Sequence, residues 1–395
     1  MKKKVITRTI LIVSLVSLFT DIASEMLYPV MPVYLRSIGF SILLIGILEG
    51  LAEATAGLSK GFFGNLSDKT GKRISFIRAG YSLSSISKPM MAVLTFPVWI
   101  FFARTIDRLG KGIRTSARDA LLSDESAPEN KGKVFGFHRA MDTVGASIGP
   151  VMALIFLYYL PGEYKYLFLI AFIPGLIAII FTFLLKEKKR DIIPVAEKVS
   201  FFTYLKYWKK ASPGYKKLVA GLLAFTLFNS SDALILLLLK TNGLTDYSMI
   251  GFYIFYNLVY AAFSYPVGIL ADKAGLGKVL IAGLVLFVVV YASVSYTNST
   301  VVYIVLFFLY GIYAASTEGI SKAMITNISD KSDTATAIGF YSGFSSIFSL
   351  IASSLAGLLW YAFNPHVTFT TSAAGVAVVT IYLSCIFFRK KHIGH

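Results

Sequence analysis

Acidic and basic side chains stand inside stretches that are otherwise apolar. In Phe19-Thr20-Asp21-Ile22-Ala23-Ser24-Glu25-Met26-Leu27-Tyr28-Pro29 two carboxylates lie four residues apart, and Glu49 and Glu53 repeat that spacing. Arg104, Asp107, Lys111, Arg114 and Arg118 recur at three- and four-residue intervals, so on a helix they share one face. In apolar surroundings the chemistry open to such groups is proton transfer. Burial disfavours a charged carboxylate and a nearby guanidinium favours it, so an acid held between the two can take up and release a proton. Asp21, Glu25, Glu53 and Arg104 form the candidate proton-coupling set. A permanently ionised structural bridge is the alternative, with Lys60 and Lys88 as further cationic partners. No Walker-type loop, His-Glu-x-x-His pattern or cysteine pair occurs, and Cys385 is the sole cysteine, so no catalytic residue, metal site or cofactor is expected.

The elements that hold these groups must be membrane spans. With 56% hydrophobic and 15% charged residues in 395, the chain has too little polar surface to cover a water-soluble globule. Counting about 20 apolar residues per span gives twelve, at roughly 8 to 35, 41 to 63, 74 to 95, 97 to 117, 133 to 158, 164 to 185, 217 to 240, 248 to 270, 278 to 296, 301 to 325, 334 to 361 and 368 to 388. By this count Asp21, Glu53 and Arg104 share the middle of the bilayer. The formal charge of +17 suggests nucleic acid until its placement is read. Lys2 to Lys4, Arg8, Lys69, Lys72, Arg73, Lys131, Lys133, Lys186 to Arg190 and Arg389 to Lys391 all fall on one side of a twelve-span layout. That side is the cytoplasmic one, so both termini are expected there, with no nucleic-acid partner.

The chain also repeats itself. Gly64-Asn65-Leu66-Ser67-Asp68-Lys69-Thr70-Gly71-Lys72-Arg73 returns about 204 positions later as Gly268-Ile269-Leu270-Ala271-Asp272-Lys273-Ala274-Gly275-Leu276-Gly277-Lys278. Two parallel six-helix halves follow, 1 to 185 and 217 to 395, with a pathway between them. The linker 186 to 216 carries the mixed aromatic and lysine run 201 to 210, which reads as a helix lying on the inner membrane face.

The segment Gly64 to Arg73 resembles the loop signature between the second and third helices of the major facilitator superfamily. That resemblance implies an all-α fold of two pseudo-symmetric bundles working by alternating access. Gly64, Asp68, Gly71, Lys72, Arg73 and Asp272 then belong to a gate, Asp68 facing the positive end of a helix dipole and Lys72 or Arg73 bridging to acids. Asp107, Lys111 and Arg114 are placed with that gate. Arg104 and the following Gly110-Lys111-Gly112 resemble a proton-coupling pattern, although Asp107 and Arg108 replace its usual glutamine and glycine. Gly145, Gly149 and Pro150 resemble the fifth-helix signature of antiporters and imply close packing and a bend, Gly149 and Pro150 acting with the gate. His138 and Asp142, one turn apart, relay protons or bridge to Arg108 or Arg139. The Asp21 to Pro29 and Asp107 to Arg114 stretches look most like a bacterial branch that includes nickel-resistance permeases and efflux proteins.

Substrate contacts are expected from Glu49, Arg108, Asp142, Asn229, Asp232, Tyr256, Asn257 and Tyr313. Asn229, Asp232, Tyr256, Asn257 and Tyr313 make a polar and aromatic set suited to a small amphipathic molecule, and Glu318 with Lys322 reads as an intrahelical pair. The expected protein is a monomeric, multi-pass transporter of the cell membrane whose partners are the lipid bilayer, protons and a small-molecule or ion substrate. Proton-coupled export is the leading reading. Uptake of an anionic nutrient by symport, and export of a divalent metal such as nickel, are the alternatives.

Overall fold

The computed structural model describes residues 5–187 and 201–388. Lys2 to Lys4, residues 188–200 of the linker, Arg389 to Lys391, His392, His395 and the side chain of Glu49 lie outside the described residues. The described chain is helical, with no strand. Its α-helices are α1 Arg8–Glu25, α2 Met31–Ser37, α3 Ile42–Thr70, α4 Ile74–Val93, α5 Pro97–Asp124, α6 Lys131–Tyr159, α7 Tyr164–Phe183, α8 Tyr207–Lys210, α9 Pro213–Phe228, α10 Asp232–Thr241, α11 Asp246–Ala274, α12 Leu276–Val294, α13 Thr300–Ile328, α14 Thr334–Ala362 and α15 Pro365–Phe388. Among the described residues eight helical segments are long and apolar enough to cross a membrane, α9 and α10 counting together as Pro213–Thr241. The heavily charged α5 is not among them.

Local chemistry sets the helix ends. Thr7, Ser41, Ser212 and Thr245 accept backbone N–H groups with their hydroxyls at the starts of α1, α3, α9 and α11, and Pro97 begins α5, where its missing donor costs nothing. Gly71 ends α3 at φ +68°, a left-handed conformation that admits glycine readily.

Two spans expected to be continuous are broken. The first, read as 8 to 35, stops at Glu25 and resumes at Met31, because Pro29 lacks a donor and restricts the residue before it. The seventh, read as 217 to 240, stops at Phe228 and restarts at Asp232. Asn229, Ser230 and Ser231 compete with the helix for backbone bonds, and the Ser231 hydroxyl accepts from Ala233 N.

The chain divides into two compact units. The first comprises 1–126, 141–210 and 330–344; the second comprises 127–140, 211–329 and 345–395. In the first, α5 packs on α3 and α4, while α7 packs on α1 and α4. Gly80 and Gly110 let α4 and α5 meet, each ideal Cβ position lying 2.6 Å from the other's carbonyl oxygen. Close backbone approach of this kind replaces the hydrophobic effect where the solvent is lipid. Ile22, Met26, Met31 and Tyr34 build a core around the first break, and Tyr34 donates to Met91 O at 3.2 Å. In the second unit α13 packs on α11 and α12, and α15 on α9 and α12.

Candidate functional site

The repeated loops do the same work twice. Asp68 accepts from Ala335 N at 3.3 Å, Thr336 N at 2.6 Å and Thr336 Oγ1 at 2.7 Å, at the start of α14. Arg73 holds Asp68 at 2.6 Å and reaches Asp124 at 3.5 Å. Gly64, one turn before Asp68, leaves room for the approach, since a Cβ there would stand 2.4 Å from Ala335 O. In the second unit Asp272 accepts from Gly132 N and Lys133 N, both at 2.7 Å, at the start of α6, and a Cβ on Gly268 would lie 2.3 Å from Gly132 O. A carboxylate at a helix N-terminus satisfies orphan donors and meets the positive end of the dipole. Gly71 serves as the turn at the end of α3, and Lys72 contributes its carbonyl, which accepts from Ser67 Oγ at 2.8 Å. Glu187 accepts from Arg73 N, Ile74 N and Ser75 N, capping α4 beside the first loop.

Besides the loop, three further groups of charges lie in the first unit. Asp107 takes Lys88 at 3.3 Å and Arg104 at 3.4 Å. Glu53 meets Arg108 at 3.8 Å, and both Glu25 and Glu53 lie in the field of Lys111, Arg108 and Arg104. Arg118 binds Asp119 at 2.9 Å and stands 4.0 Å from Asp142. Asp21 makes no hydrogen bond or ion pair among the described residues; its charged neighbours are Asp142, Glu25, Arg114 and Arg118. Ideal Cβ positions on Gly145 and Gly149 would crowd α1 at Asp21 and at Ile22, Glu25 and Met26. The fifth-helix glycines therefore press α6 against the acidic turn of α1, and Pro150 lies inside α6.

The structure names partners that spacing alone does not. The arginines that act most strongly on Asp21 are Arg114 and Arg118, while Arg104 acts on Glu25 and Glu53. The cause is the length of α5, which runs on to Asp124 rather than ending near 117, so the residues level with Asp21 are further along the helix. Asp107 and Arg114 contact α4: Asp107 holds Lys88, and Arg114 donates to Ser84 Oγ at 2.5 Å with its guanidinium 4.5 Å from the Tyr81 ring centroid. Asp142 stands beside Arg118, and Arg139 pairs with Glu318.

In the second unit the break between α9 and α10 carries the remaining candidates. Asp232 Oδ1 accepts from Tyr310 at 2.6 Å. Tyr310 lies 4.9 Å from Tyr256, 5.2 Å from Tyr313 and 6.2 Å from Tyr291, ring centroid to centroid. Asn257 donates to Tyr253 O on its own helix. Tyr310 and Tyr291 were not singled out from sequence, although Tyr310 is three residues before Tyr313 and so on the same helix face. Among the described residues no three His, Cys, Asp or Glu side chains gather to hold a metal ion.

Apolar helices that enclose charge and cap one another's ends with carboxylates suit a membrane transport pathway. The family model described as Major Facilitator Superfamily matches residues 13–256 and again 218–394. An uncharacterized MFS-type transporter of Methanocaldococcus jannaschii is 34% identical over 370 residues, 92% of this chain and 91% of that one. The quinolone resistance protein NorA of Staphylococcus aureus is 32% identical over 123 residues, 31% of each chain. Among solved structures, the human organic anion transporter TETRAN superposes with TM-score 0.81 at 15% identity over 95% of this chain and 99% of that one. The E. coli fucose:proton symporter FucP superposes with TM-score 0.77 at 12% identity over 96% and 98%. At those identities the likeness concerns the fold. The chain belongs to the Major Facilitator Superfamily and is a multi-pass membrane transporter.

Proposed function

We propose that this transporter exports a small molecule or cation from the cell in exchange for protons, through alternating access of two halves, 1 to 185 and 217 to 395, joined by the linker 186 to 216. Twelve spans with both termini cytoplasmic complete the reading, supported by the one-sided placement of lysine and arginine. The observation that carries proton coupling is Asp21, a carboxylate with no ion pair among the described residues, flanked by Asp142 and Glu25 on a helix pressed against Gly145 and Gly149. An acid with another acid beside it and arginines one shell away is suited to change its protonation as access alternates. The similarity to a quinolone resistance protein supports outward movement. On α5, Arg104 and Arg108 are engaged by Asp107 and Glu53, which removes two of the basic groups an anionic cargo would need.

In inside-out vesicles with an acid interior, cargo accumulates if protons leave as cargo enters. Screening metals, lipophilic cations and organic anions in that assay identifies direction and cargo together. Asp21→Asn should abolish gradient-driven accumulation while leaving cargo-for-cargo exchange. Undiminished accumulation in that variant would remove Asp21 from coupling, and cargo driven out of the acid vesicles would mark symport.

A further inference from the structure

We propose that the break between α9 and α10 is the seat of the cargo's positively charged head group, an organic ammonium or phosphonium ion held by Asp232 against a wall of tyrosine rings. The inference rests on the transporter reading and names the class of cargo.

Four features of the second unit converge on a cation. Asp232 is half-buried in the first turn of α10, and among the described residues it meets no lysine or arginine; its partner is the Tyr310 hydroxyl, on Oδ1. That leaves the other carboxylate oxygen to a ligand. Around it stand Tyr256, Tyr291, Tyr310 and Tyr313, all within its field and all nearly buried. Ring faces carry the negative end of the aromatic quadrupole and attract cations, most strongly where water is excluded. Finally, α9 ends at the break, so its last carbonyls point the negative end of its dipole there. The opposing N-terminus of α10 is already answered by Ser231, whose hydroxyl accepts from Ala233 N and whose carbonyl accepts from Leu234 N. Asn229 adds a side-chain oxygen that is buried without a hydrogen-bond partner.

The same inventory argues against other cargoes. An anion would face a carboxylate and ring faces with no basic group to meet it. A divalent metal wants several hard or imidazole ligands, and here one carboxylate stands among phenols. Ser231 and Ala233 are exposed while the rings behind Asp232 are buried, so the charged group of an incoming molecule meets Asp232 first and its apolar body stays in the open part of the break.

The test needs no gradient, so it can fail while the proton-coupling experiment succeeds, and the reverse. The full chain in lipid nanodiscs is dialysed to equilibrium against radiolabelled tetraphenylphosphonium. Wild type should bind saturably, and Asp232→Asn should weaken binding at least tenfold. Tyr256→Leu should weaken it several-fold, whereas Tyr256→Phe, which keeps the ring, should stay within twofold. Tyr310→Phe removes the hydrogen bond to Asp232 but keeps its ring, so binding should hold or tighten; this guards against misfolding as the cause of loss. No saturable binding by wild type, or unchanged binding in a folded Asp232→Asn protein, would overturn the proposal.

Discussion

Asp68 satisfies several donors with one carboxylate, and Asp272 repeats the arrangement in the second unit. Hydrogen bonds to a charged group contribute roughly 1.5–3 kcal/mol each, and Asp68 accepts three besides the pair with Arg73. Asparagine at this position would turn an NH2 toward N–H groups that need an acceptor. Asp68→Asn should therefore lower the melting temperature and let the start of α14 loosen. In a Cys385→Ser background, a cysteine at Ala337, which is 0% exposed, should react several-fold faster with a hydrophilic maleimide once Asp68 is Asn. An unchanged rate would assign the loop to topology alone. These loops were legible in the sequence because their function depends on fixed spacing: a glycine for approach and an aspartate one turn later. The partners of Asp21 were not. Depth counted from apolar runs assumes that a helix ends where hydrophobicity ends, and α5 continues through charged residues that its neighbours bury, Arg118 and Asp119 among them. Glu187, a lone acid in a basic stretch, gave no signal of its own, because its value lies in the three N–H groups the fold brings to it.

At the level of elements, the broken helices are where sequence reading fell short and where the chemistry gathers. A window that counts apolar residues passes over Pro29 or over Asn229 to Ser231 without noticing a lost turn, yet both stretches that read as the first spans of two halves are interrupted, at 26–30 and at 229–231. Discontinuous helices at matching positions are a recurrent setting for ligand sites in transporters. The linker segment 201–210 is the other element whose role changed. Its aromatic residues read as anchors for a membrane face, and Phe202 is indeed exposed. The segment also makes packing contacts of its own: Phe201 stacks on Phe62 with centroids 5.2 Å apart, Trp208 stacks on Phe340 at 5.5 Å, and Lys210 holds Asp333 at 2.6 Å. Burial pushes the Tyr204 phenol up from its ordinary value, so it stays neutral across physiological pH. Tyr204 also lies over Gly61, where a Cβ would clash with its ring. The segment thus fastens the start of α14 to α3. Trp208→Ala should cost about 1–2 kcal/mol of thermal stability and add to the labelling at Ala337→Cys. A combined Trp208→Ala, Asp68→Asn protein should show more than the sum of the two rates, because both hold the same half-helix; simple additivity would mean that the linker acts elsewhere.

Over the whole molecule, the two compact units do not follow chain order. The start of α14 belongs with the first unit and the start of α6 with the second. Fragments 1–187 and 201–395, expressed separately, would each lack a segment that the other supplies. Co-expressed, they should copurify on a single tag. Replacing both Asp68 and Asp272 by alanine should reduce the recovered partner several-fold, and undiminished recovery would show that other contacts hold the fragments together. The exchange is also reciprocal. Asp68 of the early half receives Thr336 of the late half, and Asp272 of the late half receives Gly132 of the early half; both partners are displaced by the same interval that separates the two aspartates. This is the reciprocity of contacts that an isologous dimer uses, written into one polypeptide. Either half alone carries both sides of the joint, an acid and a waiting helix start, and so has in a second copy of itself a substitute for its missing partner. The early fragment expressed by itself should accordingly self-associate rather than remain a monomer.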